Sequence, residues 1–153
     1  NTVLNRVLAA DAWLSRCSGN QEFVKRDWET IRRALRDSGR PETDIKFAHT
    51  QFTYVVDTDD RERALAIQRP YFEEVMGEHR SFEHLQECYL MGSVDDIVAR
   101  LQDLKSVGLE YALIGPVSDD LNQLELIAGR IIPALNASAT ASSPPQAQGG
   151  QSA

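Results

Sequence analysis

Short strand-like segments that alternate with helical patterns are the feature that most restricts the fold of this chain. The strongest strand pattern is IKFAHTQFTYVVD, residues 45–57, which is rich in aromatic and β-branched residues. Two shorter patterns, DAWLS at 11–15 and LEYALIG at 109–115, lie before and after it. Because helical stretches separate these segments, we predict an α/β fold of order α-β-α-β-α-α-α-β-α with parallel strands.

The helices are predicted from apolar residues at steps of three and four. Pro70 lies inside the helix that is predicted to begin near Thr58, and we expect it to break or kink that helix. The clearest stripes are formed by Val24, Trp28, Ile31 and Leu35, by Ile97, Val98, Leu101, Leu104 and Val107, and by Leu121, Leu124, Ala128, Ile131 and Leu135.

Composition excludes several classes of protein. The chain carries 16 Lys and Arg against 23 Asp and Glu, a net charge of −7, whereas nucleic-acid binders show a clustered basic face. No apolar run reaches the roughly 18 residues that a membrane-spanning helix needs, so no membrane span is predicted. Cys17 and Cys88 are far apart and form no CxxC pair, which favours a reducing cytoplasm over disulfides or a zinc site.

Three strands form a small sheet. A parallel sheet of this size would leave both edges unpaired, and unpaired edges are templates for further strands. The pattern therefore indicates that the chain is part of something larger.

Several runs, in this order, carry a resemblance to a known family. They are RVLAADAWLS at 6–15, WETIRRALRDSGRPETDIKFA at 28–48, YVVDTDDRERAL at 54–65, YFEEVMGEHRSFEHLQECYLMGSVDDIVARLQDLKSVGLEYALIGPVSDD at 71–120, and QLELIAGRIIPAL at 123–135. Together they resemble the C-terminal half of the luciferase-like, flavin-dependent monooxygenases.

The resemblance implies an incomplete (β/α)8 TIM barrel, of which this chain supplies the C-terminal part: about three parallel strands with covering helices. Residues 1–135 would be that half-barrel, and 136–153 would be a disordered tail, because they contain no charged or aromatic residue. The first half of the barrel would be missing from these residues, which would also account for the absence of an initial Met.

The resemblance also implies a reduced flavin, usually FMN and in some branches F420. We expect the face of strand 45–57 that carries His49, Gln51 and Thr53 to point toward the barrel interior. His49 and Gln51 are the predicted catalytic residues, in contact with flavin or substrate, and Thr53 is a third predicted cofactor contact. The alternative is a satisfied polar layer without a catalytic role.

Two further positions are candidate ligand contacts. Asn1 and Thr2 fall at the turn that commonly holds the cofactor phosphate in this family, unless they form a frayed terminus. Arg16 follows the first strand and is the predicted contact for an anionic substrate, unless it is an ordinary surface residue. No metal site is predicted, since His79 and His84 match no helical metal-ligand spacing.

The implied function is a monooxygenase that uses reduced FMN and O2 on a small organic substrate. An F420-dependent hydride transfer is one alternative, and a non-catalytic half-barrel that binds a partner is another; these residues alone are expected to be inactive. The resemblance further implies a flavin reductase as a possible partner, a homo-oligomer when the barrel is complete, and a cytoplasmic location without nucleic-acid or membrane partners.

Overall fold

The computed structural model describes residues 2–77 and 79–140. A single turn of 3-10 helix, Glu42–Asp44, precedes the second strand, and a π-helical turn, Ile127–Ile131, joins the last two helices. The elements are α1 (Thr2–Leu8), β1 (Ala12–Ser15), α2 (Gln21–Asp37), β2 (Lys46–Thr53), α3 (Arg61–Met76), α4 (Phe82–Cys88), α5 (Val94–Ser106), β3 (Leu109–Pro116), α6 (Asn122–Leu126) and α7 (Ile132–Thr140).

The three strands form one parallel sheet in the order β1-β2-β3. Ser15 of β1 lies beside His49 of β2, which in turn lies beside Ala112 of β3. Strands follow one another along both the chain and the sheet, and helices connect them, which is the repeating unit of a (β/α) barrel. The predicted fold class, part of such a barrel, is confirmed.

Helices cover one face of this sheet. Phe47 packs against the rings of both Trp13 and Trp28, whose centroids lie 5.2 and 5.0 Å away, so α2 lies against the first two strands. Just beyond the end of β2, Val55 packs with α5 and with the final helical segment, and their buried side chains include Ile97, Leu101, Ile127 and Ile131. These two clusters form the core beneath the sheet.

The opposite face of the sheet carries apolar side chains at the surface. Leu14, Tyr111 and Leu113 alternate with helix-packed neighbours, and 55%, 58% and 49% of their surfaces are exposed. In a complete barrel the helices lie outside the strands, so this open face corresponds to the barrel interior.

A segment between α4 and α5 extends the sheet beyond the end of β1. The Leu90 amide donates to the Phe52 carbonyl (3.1 Å), and the Thr53 hydroxyl donates to the Leu90 carbonyl (2.9 Å). Because β1 ends at Ser15, the last residues of β2 have no partner strand on that side, and this segment pairs with them instead. It holds α3 and α4 at the carboxyl end of the sheet, around buried Phe72 and Tyr89.

Two predictions about helices are corrected. The helix that contains Pro70 runs without a break from Arg61 to Met76, because the side chains of Gln68 and Phe72 anchor it on both sides of the proline. In the last helix, Ile131 is buried as predicted, but Leu121 and Leu124 are exposed, and Gln123 and Ile127 are buried in their place.

The π-helical turn explains the second correction. The turn inserts one extra residue into the helix just before Pro133, and this insertion shifts the buried face of the preceding turns by one position. Pro133 has no N–H, so the Gly129 carbonyl lacks its usual α-helical partner at this point. The helix then continues to Thr140, so the first residues of the predicted tail, 136–140, are helical, while 141–153 lie outside the described residues.

Candidate functional site

A cavity of about 420 Å³ lies at the carboxyl ends of β2 and β3. In barrels of this kind, the loops that leave the carboxyl ends of the strands form the active site. Residues from the end of β2, from α3 and from the loop after β3 line the cavity: Tyr54, Tyr71, Glu74, Val75, Val117, Ser118, Asp119 and Asp120. Its position makes it the candidate site of this chain.

Two tyrosines form the aromatic wall of the cavity. The rings of Tyr54 and Tyr71 are stacked, with centroids 3.9 Å apart and planes 14° from parallel. The hydrogen bond with Tyr71 raises the pKa of Tyr54 to about 12, and burial and the Asp120 charge act in the same direction. Tyr54 is therefore a neutral phenol at physiological pH and can serve as a hydrogen-bond partner.

Two buried glutamines hold the backbone on which Tyr54 sits. The Gln68 amide donates to the carbonyls of Tyr54 (2.8 Å) and Gly92 (2.9 Å) and accepts from the Gly92 amide (2.8 Å). The Gln123 side chain accepts from the Val55 amide (2.6 Å) and donates to the Val55 carbonyl (3.1 Å). The side-chain amide of each glutamine both donates to and accepts from backbone groups, as the backbone of a neighbouring strand would. These bonds fix the end of β2 relative to α3 and α6.

The cavity is acidic. Glu74, Asp119 and Asp120 line it, and among the ion pairs of the described residues none involves these three carboxylates. One oxygen of Asp120 accepts from the Asn122 amide (2.9 Å) at the start of α6. The site therefore presents negative charge beside aromatic surface.

The predicted catalytic residues lie elsewhere, between the sheet and the helices. His49 is 1% exposed; its Nδ1 contacts the hydroxyl of Ser15, and its Nε2 lies 3.0 Å from the amide nitrogen of Gln51. Gln51 also donates to the Cys88 carbonyl (2.8 Å). We call Ser15, His49, Gln51 and Thr53 the polar layer.

This placement corrects the predicted direction of the strand. His49, Gln51 and Thr53 share the face of Phe47, which the helices cover, so they do not point toward the barrel interior. Their polar groups are satisfied by Ser15, by the carbonyl of the last residue of α4 and by a carbonyl of the segment that follows α4, contacts that the sequence pattern does not reveal. A role of these residues toward a cofactor or substrate stays a prediction.

Burial sets the charge of the polar layer. It lowers the pKa of His49 to about 4, and the positive charge of Arg100 acts in the same direction. The Arg100 guanidinium donates to the carbonyls of Gln86 (2.6 Å) and Glu87 (2.6 Å) at the end of α4, and burial lowers its own pKa. His49 is therefore a neutral imidazole at pH 7.

The other predicted contacts are spread over the chain. Thr2 is the first residue of α1 and is exposed, and Asn1 lies outside the described residues. Arg16 follows β1, is exposed, and forms an ion pair with Asp27 (3.1 Å). The structure thus does not bring Thr2, Arg16 and the polar layer together into one described cavity.

Sequence analysis missed the two glutamines and the tyrosine pair. A signal for Gln68 is present, because it continues a stripe of buried residues at steps of four between Ala64 and Phe72. A polar residue in such a stripe needs a partner inside the protein. Tyr71 carries no comparable signal, since only the fold brings α3 against the end of β2.

The described residues show no grouping of three His, Cys, Asp or Glu side chains that could hold a metal ion. None of the helices described is long and apolar enough to cross a membrane. Cys17 and Cys88 are both free thiols.

Comparison with known proteins rests on solved structures. No protein-family model matches the chain, and no curated protein matches it. An F420-dependent secondary alcohol dehydrogenase in complex with an F420–acetone adduct matches with a TM-score of 0.58 at 15% identity, over 81% of this chain and 42% of the other.

Two further structures match in the same way. A riboflavin lyase with modified FMN and its substrate riboflavin has a TM-score of 0.57 at 12% identity, over 85% of this chain and 39% of the other. The EDTA monooxygenase of Chelativorans has a TM-score of 0.56 at 16% identity, over 84% of this chain and 40% of the other.

These structural neighbours are members of the luciferase-like family. At these identities the likeness is one of fold. This chain spans about two fifths of the length of each neighbour. The fold that the sequence resemblance implied is therefore the fold observed.

Proposed function

We propose that the chain is part of a flavin- or F420-dependent oxidoreductase of the luciferase-like class. The observation that carries this proposal is the cavity of Tyr54, Tyr71 and Asp120, which lies at the carboxyl ends of parallel strands in part of a barrel. That edge is where barrel enzymes bind substrate. The structural neighbours named above, which include FMN- and F420-containing proteins, support the chemical class.

The residues present fit one part of such a cofactor and not another. A flat ring system, or an organic substrate held beside it, suits the aromatic wall of Tyr54 and Tyr71, which also excludes water from one side of the site. The phosphate of FMN does not fit beside Glu74 and Asp119, because like charges repel. We therefore assign the phosphate to the predicted turn at Asn1 and Thr2, away from the cavity.

When bound, the reduced cofactor supplies the electrons of the reaction. The neutral phenol of Tyr54 orients a polar group of the bound molecule through its hydroxyl. We assign His49, Gln51 and Thr53 a positioning role behind the sheet, and Arg16 the contact with an anionic group at the end of β1. O2, a small organic substrate and a flavin reductase are the corresponding partners of the monooxygenase.

The neighbours favour two versions of this function. A monooxygenase consumes O2 with reduced FMN, and a dehydrogenase of the F420 type transfers a hydride without O2; a structure of each kind matches. The remaining alternative is a half-barrel that binds a partner and no cofactor, for which the open face of Leu14, Tyr111 and Leu113 is the supporting observation.

The experiment is a cofactor titration of the longest polypeptide encoded with these residues, because the matched structures are about twice as long. Saturable binding of reduced FMN with O2 consumption supports the monooxygenase. Binding of F420 alone, without O2 consumption, supports hydride transfer instead. If neither cofactor binds, the proposal is wrong and the partner-binding half-barrel replaces it.

A further inference from the structure

We propose that the cavity at the end of β2 and β3 binds the cationic group of an organic substrate, a substituted ammonium, between the tyrosine pair and the carboxylates. This inference rests on the proposed function, because it names the substrate class of the same site. Three observations carry it: the aromatic wall, the unpaired negative charge and the size of the cavity.

The aromatic wall comes first. Stacking occupies only one face of each ring, and both Tyr54 and Tyr71 are half-buried, so aromatic surface is left to line the cavity. The face of an aromatic ring attracts a cation that has lost part of its hydration shell, and substituted ammonium groups are recognised in this way. An anion or a neutral polar group gains nothing comparable from such a wall.

The charge of the cavity points to the same ligand. Glu73 of α3 is neutralised by Arg69 at 2.7 Å, whereas its neighbour Glu74, which lines the cavity, has no ion-pair partner among the described residues. Asp119 and Asp120, across the cavity from α3, likewise have no cation beside them in the part of the chain that the structure describes. All three carboxylates are exposed to solvent, so a positive ligand group can approach them without displacing a cation of the protein.

The volume fits an organic ligand and exceeds the need of a bare ion. About 420 Å³ lies within the range of cavities that bind small molecules. The apolar side chains of Val75 and Val117 add surface for the methyl or methylene groups that an ammonium carries. Size, charge and aromatic surface together select a substituted ammonium over an inorganic cation.

Choline and 3,3-dimethylbutan-1-ol are the probes that test this, because they share shape and differ in charge. The chain contains four tyrosines, so ring-labelled tyrosine gives an NMR spectrum that single substitutions can assign. We expect choline to shift the signals of Tyr54 and Tyr71 saturably and to leave Tyr111 unchanged. Equal shifts with the neutral alcohol, or no saturable shift with choline, would overturn the proposal.

Matched variants locate the site. Tyr71→Leu is expected to weaken choline binding by about tenfold, which is the scale of a partly desolvated cation–aromatic contact. The double variant Glu74→Gln with Asp119→Asn is expected to weaken it several-fold, because two negative charges are lost. Tyr111→Leu on the open face and Glu125→Gln on the exposed side of α6 are the controls and should leave binding unchanged. Equal weakening by the controls would contradict the assignment.

The same measurement separates this inference from the proposed function. Cofactor binding is read from the flavin or F420 spectrum, and choline binding is read from tyrosine signals. If the cofactor binds and choline does not, only the substrate class is wrong. If choline binds and neither cofactor does, the ammonium site stands and the oxidoreductase assignment fails.

Discussion

The two faces of the sheet reverse the usual distribution of polar and apolar residues. The face beneath the helices buries an imidazole, an amide and two hydroxyls in the polar layer. The open face exposes leucine and tyrosine side chains. The difference teaches that neighbouring elements, rather than residue polarity, decide which face of this sheet is covered.

The polar layer is compatible with burial because every member has a partner. His49 bonds to a strand neighbour and to Gln51. Gln51 also bonds to the carbonyl at the end of α4, and Thr53 bonds to a carbonyl of the segment after α4. No buried side-chain nitrogen or oxygen of the described residues lacks a hydrogen-bond partner. Such a layer also sets the register of the sheet, because a shift of one residue would bury these groups without partners.

The largest expected effect comes from removing the apolar anchor of the covered face. Phe47→Ala removes a fully buried ring that packs against both Trp13 and Trp28, and we expect the free energy of unfolding to fall by about 3–5 kcal/mol. Leu14→Ala on the open face is the control, with an expected loss below about 1 kcal/mol. Urea denaturation measures both, and equal losses would remove the distinction between the faces.

The next effect tests whether the polar layer contributes to stability. Gln51→Leu leaves the Cys88 carbonyl without its donor, and the expected loss is about 2 kcal/mol by urea denaturation. Thr50→Val, one residue away on the opposite face, should change stability by less than about 1 kcal/mol. If Gln51→Leu left stability unchanged, the layer would be dispensable for folding, and the predicted catalytic role of Gln51 would gain support.

Much of the fold could be predicted from the sequence, because it depends on local patterns. Val24, Trp28, Ile31 and Leu35 form the buried stripe that their spacing predicts, and the parallel order follows from alternation. The alternation along β2 also separates its two faces correctly. It does not say which face the helices cover, and that choice depends on contacts between residues far apart in sequence, such as Ser15 with His49.

The candidate site was harder to predict for the same reason. Tyr54 and Tyr71 are separated by most of α3, and Asp120 comes from the loop after the next strand. No short motif joins these residues, so only the folded chain brings them to one cavity. The predicted residues Asn1, Thr2 and Arg16 come from the resemblance, and their roles stay predictions.

A pH experiment tests the covered face at His49. The pKa of His49 is about 4 in the folded chain and about 6.5 when unfolded, so below pH 6.5 the unfolded state binds a proton that the folded state does not. The stability contributed by the neutral imidazole is complete above pH 6.5 and is lost as the pH falls toward 4. Between pH 7 and pH 5 we expect a loss of about 2 kcal/mol.

His49→Gln is the control for this prediction. Its stability should depend less on pH over the same interval, because residue 49 no longer titrates. Chemical denaturation of both proteins at pH 7 and pH 5 gives the difference directly. An identical pH dependence in the two proteins would show that carboxylates, and not His49, account for it.

The smallest expected effect is on the open face. Leu113 is half exposed on β3, and the next residue, Ile114, packs against the core on the covered side. Leu113→Thr places a β-branched residue, which strands favour, at this position and removes only exposed apolar surface, so stability should change by less than about 0.5 kcal/mol. Ile114→Thr introduces a hydroxyl against the apolar cluster that contains Leu101 and should cost about 1–3 kcal/mol. A large loss from Leu113→Thr would mean that another molecule, such as a second copy, covers this face in solution, and its concentration dependence would identify that association.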